Sequence, residues 1–286
     1  MTSPGSSIGF IGQGYVGKNI ADDIESRGYA TTRYSLEEPY IGNKEKIADC
    51  DIVFVAVPTP TTPEGFSAAV VKEALALVGP GKTAVIKSTI LPGTTKELQQ
   101  AYPDRVVLFS PEFLREATAA EDAAHPYSII VGMPVEDDAH RRAADAVIAV
   151  LPKVPGTFVC NSTEAELVKY AQNASGYIQI VFFNLLYDLT KALGVDWEPI
   201  RNALSADPNI PVRFTNPVHK GGRGAGGHCL IKDFAALVAL YESTSPEDKE
   251  GIRMLQAIAD KNVDLLKGSG KDLDLLSGVY GTDIAS

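Results

Sequence analysis

The sequence predicts an α/β chain. A doubly wound parallel sheet is expected over residues 1–160, an all-α central region over 161–268 and a tail over 269–286. Three observations carry this prediction. Short apolar runs alternate with helical stretches through the first half. The first of these runs leads directly into a glycine-rich turn. The second half opens on a long stretch of helical periodicity, 163–193, that contains no proline.

Ile8-Gly9-Phe10-Ile11 forms the first strand, and Gly12-Gln13-Gly14-Tyr15-Val16-Gly17 follows before a helical pattern that runs to about Arg27. This is G-x-G-x-x-G in the setting that gives it meaning: strand, tight turn, helix. The first glycine makes the turn, the second lets a pyrophosphate reach the backbone, and the third permits close helix–strand packing. The helix start receives the negative charge. The sheet is therefore Rossmann-like, and Gly12, Gln13, Gly14, Tyr15, Val16 and Gly17 are candidate cofactor residues. The second strand spans roughly 30–34. An acidic residue is expected at its end to hold the ribose 2′-hydroxyl of NAD. That position is Ser35, with Arg33 on the same face. Arg33 and Ser35 suit a 2′-phosphate, which keeps NADP open beside NAD. The alternative leaves Arg33 a solvated charge and gives the acidic role to Glu37 or Glu38. Further strand-like runs fall at 51–57, 83–87, 106–109, 128–131 and 157–160, separated by helical stretches such as 68–78 and 137–150. Ligands gather at the carboxyl ends of such strands. Val57-Pro58-Thr59, Ser88-Thr89 and Ser110-Pro111-Glu112 stand there.

The helix predicted over 163–193 is about 45 Å long at 1.5 Å per residue. Ser162 or Thr163 caps its start, Gly194 ends it, and Gly176 is its interior glycine. Its face carrying Ile178, Val181, Phe182, Leu185 and Leu186 suits either a homodimer contact or a buried core. Lys169 and Asn173 are four apart and share one face, as a solvated edge or as a functional pair. Downstream, Gly226-Gly227-His228-Cys229-Leu230-Ile231-Lys232-Asp233 places a cysteine after a run of glycines. Such a cysteine is either a nucleophile activated by its surroundings or an incidental thiol on a surface turn. Further helices are expected over 234–240 and 252–266, and the weak periodicity of 268–286 reads as a tail.

Charge and composition narrow the function. A net charge of −10 argues against non-specific nucleic-acid binding but leaves a locally basic site for an anionic substrate open. Cys50, Cys160 and Cys229 have unrelated spacings that form neither a disulfide framework nor a zinc pattern, which favours a reducing, cytoplasmic setting and no metal. No apolar run is long enough to span a bilayer. Residues 1–7 lack the basic and apolar regions of a signal peptide and read as a short disordered leader.

Taken together, the motifs resemble the UDP-glucose/GDP-mannose dehydrogenase family, in the family's order, from Ile8 to about Leu266. They are Gly12 to Gly17, Val57-Pro58-Thr59-Pro60, and Lys87-Ser88-Thr89-Ile90-Leu91-Pro92-Gly93-Thr94. Ser110-Pro111-Glu112-Phe113-Leu114-Arg115-Glu116, Ala165-Glu166-Leu167-Val168-Lys169-Tyr170-Ala171-Gln172-Asn173 and Gly224 to Asp233 complete the set. The resemblance implies oxidation of the C6 alcohol of a nucleotide sugar, UDP-glucose foremost, to the acid with two NAD. Cys229 would form a thiohemiacetal and then a thioester. Lys169 and Asn173 would stabilise the oxyanion, and Asp233 and Thr89 would hold water and relay protons. Glu112 and Glu116 would act as acid/base or water-positioning groups. Phe113, Leu114, Arg115, Arg213 and Gly226 would contact the substrate. Glu116, Lys232, Val57, Pro58, Thr59 and Ser88 would line the cofactor. A homodimer through the long central helix is expected.

The sequence also departs from the family. The family normally continues into a further dinucleotide-like domain that helps bind the nucleotide, so a separate chain supplying that domain is an expected partner. The segment after the second strand is short. His228 resembles members that act on UDP-N-acetylmannosamine. Two other functions compete with the leading one. A single-step hydroxyacid dehydrogenase would need no cysteine. A non-catalytic partner would bind cofactor without turnover.

Overall fold

The computed structural model describes residues 6–284. The chain divides into two compact units. The first holds residues up to Thr59 together with Ser67–Lys169, and the second holds Pro60–Phe66 and the residues from Tyr170 onward.

The first unit is built on a seven-stranded sheet in the order β2-β1-β3-β6-β7-β8-β9. Its strands are β1 (Ile8–Ile11), β2 (Thr31–Tyr34), β3 (Ile52–Val55), β6 (Thr83–Ile86), β7 (Val106–Phe109), β8 (Ser128–Met133) and β9 (Gly156–Asn161). Every residue of β1 and β3 is buried, as expected of central strands covered on both faces. The helices are α1 (Tyr15–Ser26), α2 (Ala69–Leu75), α3 (Thr94–Ala101), α4 (Ala119–Ala124) and α5 (Asp138–Val150). Residues of α1, α4 and α5 share one core with the strands: Ile20, Ile24, Ala123 and Val147 join Phe10, Phe54, Val85 and Leu108. Each large side chain so buried contributes about 1.5–3 kcal/mol. Strand β2 lies on one side of β1 and β3 on the other, so the winding reverses between β1 and β3. A doubly wound sheet opens its ligand crevice at such a reversal.

The sheet differs from the all-parallel expectation at one side. Strand β8 meets β7 antiparallel, with Phe109 opposite Gly132, and β9 runs parallel to β8. An antiparallel neighbour needs no crossover helix. Gly132 also lets β8 approach the segment that follows β9, because a Cβ there would lie 2.7 Å from Ser162 Cα.

The second unit contains a small hairpin of β4 (Thr61–Thr62) and β5 (Gly65–Phe66), a second hairpin of β10 (Val218–His219) and β11 (Gly222–Arg223), and the helices α7 (Trp197–Ser205), α8 (His228–Thr244), α9 (Lys249–Ser269) and α10 (Leu273–Tyr280). The first hairpin packs on α8 and α10. Helix α6 (Ser162–Leu193) is unbroken, and the division between the units falls within it, after Lys169. Gly176 is explained by Phe214, whose ring would lie 3.0 Å from a Cβ at that position. Tyr177 of α6 stacks on Phe234 of α8 at 3.9 Å between ring centroids.

The compact units divide within α6 at Lys169/Tyr170, while the sequence places its domain boundary at 160/161, and Pro60–Phe66 belongs with the later residues. The segment from 269 onward forms α10, which buries Leu276 and Val279, so its described part is no tail. The weak periodicity of this short helix hid it, because two buried positions are enough to seat it. Residues 285–286 lie outside the described residues, as do residues 1–5 of the expected leader. Ser7 is fixed, its N–H and hydroxyl donating to Asp51 at 2.9 and 3.0 Å.

Candidate functional site

In the first unit the glycine turn does what its spacing requires. Gly12 adopts φ +91°, and a Cβ there would lie 2.2 Å from the Ala56 carbonyl oxygen. A Cβ on Gly17 would lie 2.1 Å from the Gly12 carbonyl oxygen, so the helix can sit this close only with glycine. A Cβ on Gly14 would meet nothing within 4 Å, which leaves an open approach to the backbone where α1 begins. That first turn carries no acidic residue and no side-chain cap. Its N–H groups suit an anion. The Oε1 of Gln13 is buried without a hydrogen-bond partner, while its Nε2 donates to the Gly12 carbonyl at 3.0 Å. Tyr15 is exposed and Val16 half-buried. These residues fit a dinucleotide pyrophosphate.

Arg33 has another occupation than the one expected. It is 7% exposed. Its Nε and Nη2 bond Glu25 at 3.0 and 2.6 Å, and its Nη1 pairs with Asp22 at 2.7 Å. Two carboxylates of α1 hold the guanidinium, so it is neither a solvated charge nor turned to a 2′-phosphate. The Ser35 hydroxyl donates to the Glu37 carbonyl at 3.0 Å and closes a local turn. Glu37 and Glu38 are exposed.

The carboxyl ends of β3, β6 and β7 are tied together. The Ser88 hydroxyl accepts from the Val57 N–H at 2.9 Å and donates to the Val57 carbonyl at 2.7 Å. Thr59 is buried, Pro58 exposed and Thr89 half-buried. Lys169 donates to the Glu112 carbonyl oxygen at 2.7 Å, stands 3.8 Å from Glu112 Oε1 and lies 5.4 Å from the Phe113 ring centroid. Glu112 Oε2 accepts from the Leu114 N–H at 2.7 Å, and Phe113 stacks on Tyr127. The structure thus brings Lys169, Glu112, Phe113 and Leu114 together. Arg115 instead pairs with Asp122 at 2.6 Å and holds that carboxyl at about 2. Glu116 is exposed in a short 3-10 turn.

Sequence reasoning passed over two residues of this cluster. Lys87, at the end of β6, is buried and donates to the Ser110 hydroxyl at 3.0 Å. Burial pulls its ammonium down to about 8, with Glu112 opposing and Lys169 reinforcing the shift. A lysine closing an apolar central strand was the available signal. Glu166 is wholly buried and accepts from the Gly93 and Thr95 N–H groups at 2.6 and 2.8 Å and from the Thr95 hydroxyl at 2.5 Å. It caps α3 and so fixes the helix turn that carries Lys169.

In the second unit the cysteine stands in a helix rather than in a loop. Gly227, at φ +79°, precedes α8, and Cys229 lies half-buried in its first turn. Asp233 follows one turn later and is 2% exposed. Its Oδ2 accepts from Asn173 Nδ2 at 2.6 Å, and its Oδ1 pairs with Lys232 Nζ at 2.5 Å. Asn173, Asp233 and Lys232 are thus brought together. Arg213 is exposed and lies 4.4 Å from its neighbour's Phe214 ring.

The glycines before the cysteine serve the protein's own packing more than the sequence indicated. A Cβ on Gly226 would lie 2.0 Å from Asp272 Oδ2, and one on Gly224 2.9 Å from Asn262 Oδ1. Around Gly227 the space is open. Among the described residues no group of three His, Cys, Asp or Glu side chains could hold a metal ion, and no helix is long and apolar enough to cross a membrane.

Comparison with known proteins places the chain. The NAD binding domain profile of the UDP-glucose/GDP-mannose dehydrogenase family matches residues 26–149, and the family's central domain profile matches 163–263. The first match begins beyond the glycine turn, so the evidence for that turn is its own geometry. The chain is 28% identical to UDP-glucose 6-dehydrogenase AglM of Haloferax volcanii, over 89% of this chain and 69% of that protein. It is 29% identical to a UDP-glucose 6-dehydrogenase of Rhizobium meliloti, over 85% of this chain and 57% of the other. A UDP-glucose dehydrogenase structure from Pyrobaculum islandicum superposes with a TM-score of 0.76 at 27% identity, covering 97% of this chain and 72% of that one. The chain therefore spans between about half and seven-tenths of the length of such relatives.

Proposed function

This chain belongs to the UDP-glucose/GDP-mannose dehydrogenase family, and from that premise we propose that it oxidises the C6 alcohol of a nucleotide sugar, UDP-glucose foremost, to the carboxylate. NAD is the cofactor of its N-terminal domain. The observation that carries the proposal is the joint presence of two preformed clusters. One is Lys169 on the Glu112 segment. The other is Asp233 between Asn173 and Lys232, one turn beyond Cys229.

The overall change is R–CH2OH + 2 NAD+ + H2O → R–COO− + 2 NADH + 3 H+. Bound NAD supplies the hydride acceptor. The glycine turn and the start of α1 would hold its pyrophosphate. The Cys229 sulfur adds to the C6 aldehyde and keeps it from escaping. The resulting thiohemiacetal loses hydride to become a thioester, which water cleaves to the acid and free thiol. Lys169 and Asn173 donate to the oxygen on which negative charge develops at C6. Asp233, fixed by Asn173 and Lys232, orients the water together with Thr89. Glu112 is the acid/base group, held in place through the Leu114 N–H.

The α6 residues Phe182, Leu185, Leu189 and Leu193 are each about half exposed or more, at helical spacing. We assign this stripe to a second copy of the chain.

The test is the amount of NADH formed from limiting UDP-glucose. Two equivalents per sugar are expected. One equivalent would reduce the reaction to a simple alcohol dehydrogenation and remove Cys229 from it.

A further inference from the structure

The peptide units leading into α8 are held by side chains from beyond the last matched residue of the family's central domain or close to its end. Asn262 of α9 is 1% exposed and grips both polar groups of Ala225. Its Oδ1 accepts from the Ala225 N–H at 2.6 Å, and its Nδ2 donates to the Ala225 carbonyl at 3.0 Å. Lys271 is 9% exposed and donates to the Gly224 carbonyl at 3.0 Å. Asp272 accepts from the Gly227 N–H at 2.8 Å. Ser269 accepts from the Arg223 N–H at 2.9 Å. Asp272 itself sits in the left-handed region at φ +52°, a conformation that a non-glycine residue keeps only where its surroundings hold it.

These contacts are more than packing. Arg223, Gly224, Ala225 and Gly227 are each held through their backbone by a side chain of Ser269, Lys271, Asn262 or Asp272. A buried lysine and a buried asparagine are costly unless paired, yet here both are committed to one short loop. The glycines at 224 and 226 complete the arrangement by giving Asn262 and Asp272 room.

We infer that Asn262, Lys271 and Asp272 are positioning residues for Cys229, acting through the Gly224–Gly227 backbone from which the first turn of α8 starts. The inference rests on the reading of Cys229 as the nucleophile. The three residues touch neither substrate nor cofactor in it. They set where the sulfur stands and keep the start of α8 in place.

The test compares Asp272→Ala with Asp272→Asn, which keeps an acceptor oxygen, and adds Lys271→Met. The first readout is the rate of alkylation of Cys229 by iodoacetamide, followed peptide by peptide with Cys160 of the same molecule as internal reference. This readout needs no turnover. Asp272→Ala should alkylate at Cys229 at least fivefold more slowly than Asp272→Asn, and Lys271→Met should be slowed likewise. The second readout is NADH formation. Asp272→Ala should lose at least tenfold in kcat with KM for NAD within twofold, and Asp272→Asn should recover most of it. Variants that melt earlier yet alkylate Cys229 at the wild-type rate would show a role in stability alone and overturn the inference. Loss of the alkylation contrast overturns it whatever the turnover. If the wild-type protein turns over no nucleotide sugar while the contrast stands, the reaction is wrong and the positioning stands. Amide exchange on the unaltered protein decides the case in which a variant does not fold. Ala225 and Gly227 should exchange as slowly as the interior of α9, and fast exchange at both overturns the inference.

Discussion

The chain has two glycine-rich turns that each lead into a helix, and they are built by opposite means. At Gly12–Gly17 the close contacts are backbone on backbone: Gly12 against Ala56 and Gly17 against Gly12 itself, all beside strands β1 and β3. At Gly221–Gly227 they are side chains reaching from α9 and from Lys271-Asp272. The closest contacts of the first turn are backbone, which any residue at the end of β3 supplies. The second takes its shape from particular side chains of α9 and the segment after it. A motif of the first kind can be read from six letters, whereas one of the second kind cannot.

The contrast is broken or sharpened most by adding a methyl group to each turn. Gly17→Ala drives a Cβ against a backbone oxygen that has nowhere to go, and should cost about 3 kcal/mol and abolish NAD binding. Gly226→Ala meets mainly the Asp272 carboxylate and the end of Lys271, which can swing aside, and should cost about 1 kcal/mol. Urea unfolding of the two variants measures both, and equal losses would remove the distinction.

Buried charge in each unit gives the next effect. Lys271 has a carbonyl to bond, but Lys87 has only the Ser110 hydroxyl in a dry setting. Its ammonium, held down to about 8 against an ordinary 10.5, is a burden on the folded state at neutral pH. Between pH 8 and 10.5 the unfolded chain binds the proton that the folded chain has released, so stability rises with pH in that window. Lys87→Met should therefore be more stable than the wild type at pH 7, by up to about 3 kcal/mol. The gap should close by about pH 10. A gap that stays constant from pH 7 to 10 would show that Lys87 is not the titrating group. The smallest effect on stability belongs to Gly14→Ala. Nothing lies near its Cβ, so the melting temperature should hold while NAD binds about tenfold more weakly, a change of about 1.4 kcal/mol. Unchanged NAD affinity in a calorimetric titration would move the pyrophosphate elsewhere.

Most of the first unit was legible because its signals are local. The strand runs of β1, β6 and β7, the glycine spacing and the helix that carries Lys169 all follow from neighbours in sequence. Lys169 and Glu112 were named through the family motifs they sit in; their contact itself left no local signal. What stayed hidden depends on distance along the chain. Arg33 was open to misreading since its partners Asp22 and Glu25 lie one helix back, on a face known only after folding. Lys87 looked like the end of a strand, and its burial arises from what β7 and α6 place over it. Helix α10 buries only Leu276 and Val279 by way of a core, too few to make a periodic signal. Asn262, Lys271 and Asp272 carry no local mark at all, because the groups they bond are backbone.

One further feature bears on how the molecule can be taken apart. Hairpin β4–β5 is made early in the chain yet rests on α8 and α10, which are made much later. No single cut yields the second unit whole, and a fragment that starts at Tyr170 leaves a gap where Thr61 and Phe66 should lie. Closing that unit joins distant parts of the polymer, a slow step for a chain to take. On the ribosome the hairpin must wait, unpartnered, until α8 and α10 have emerged.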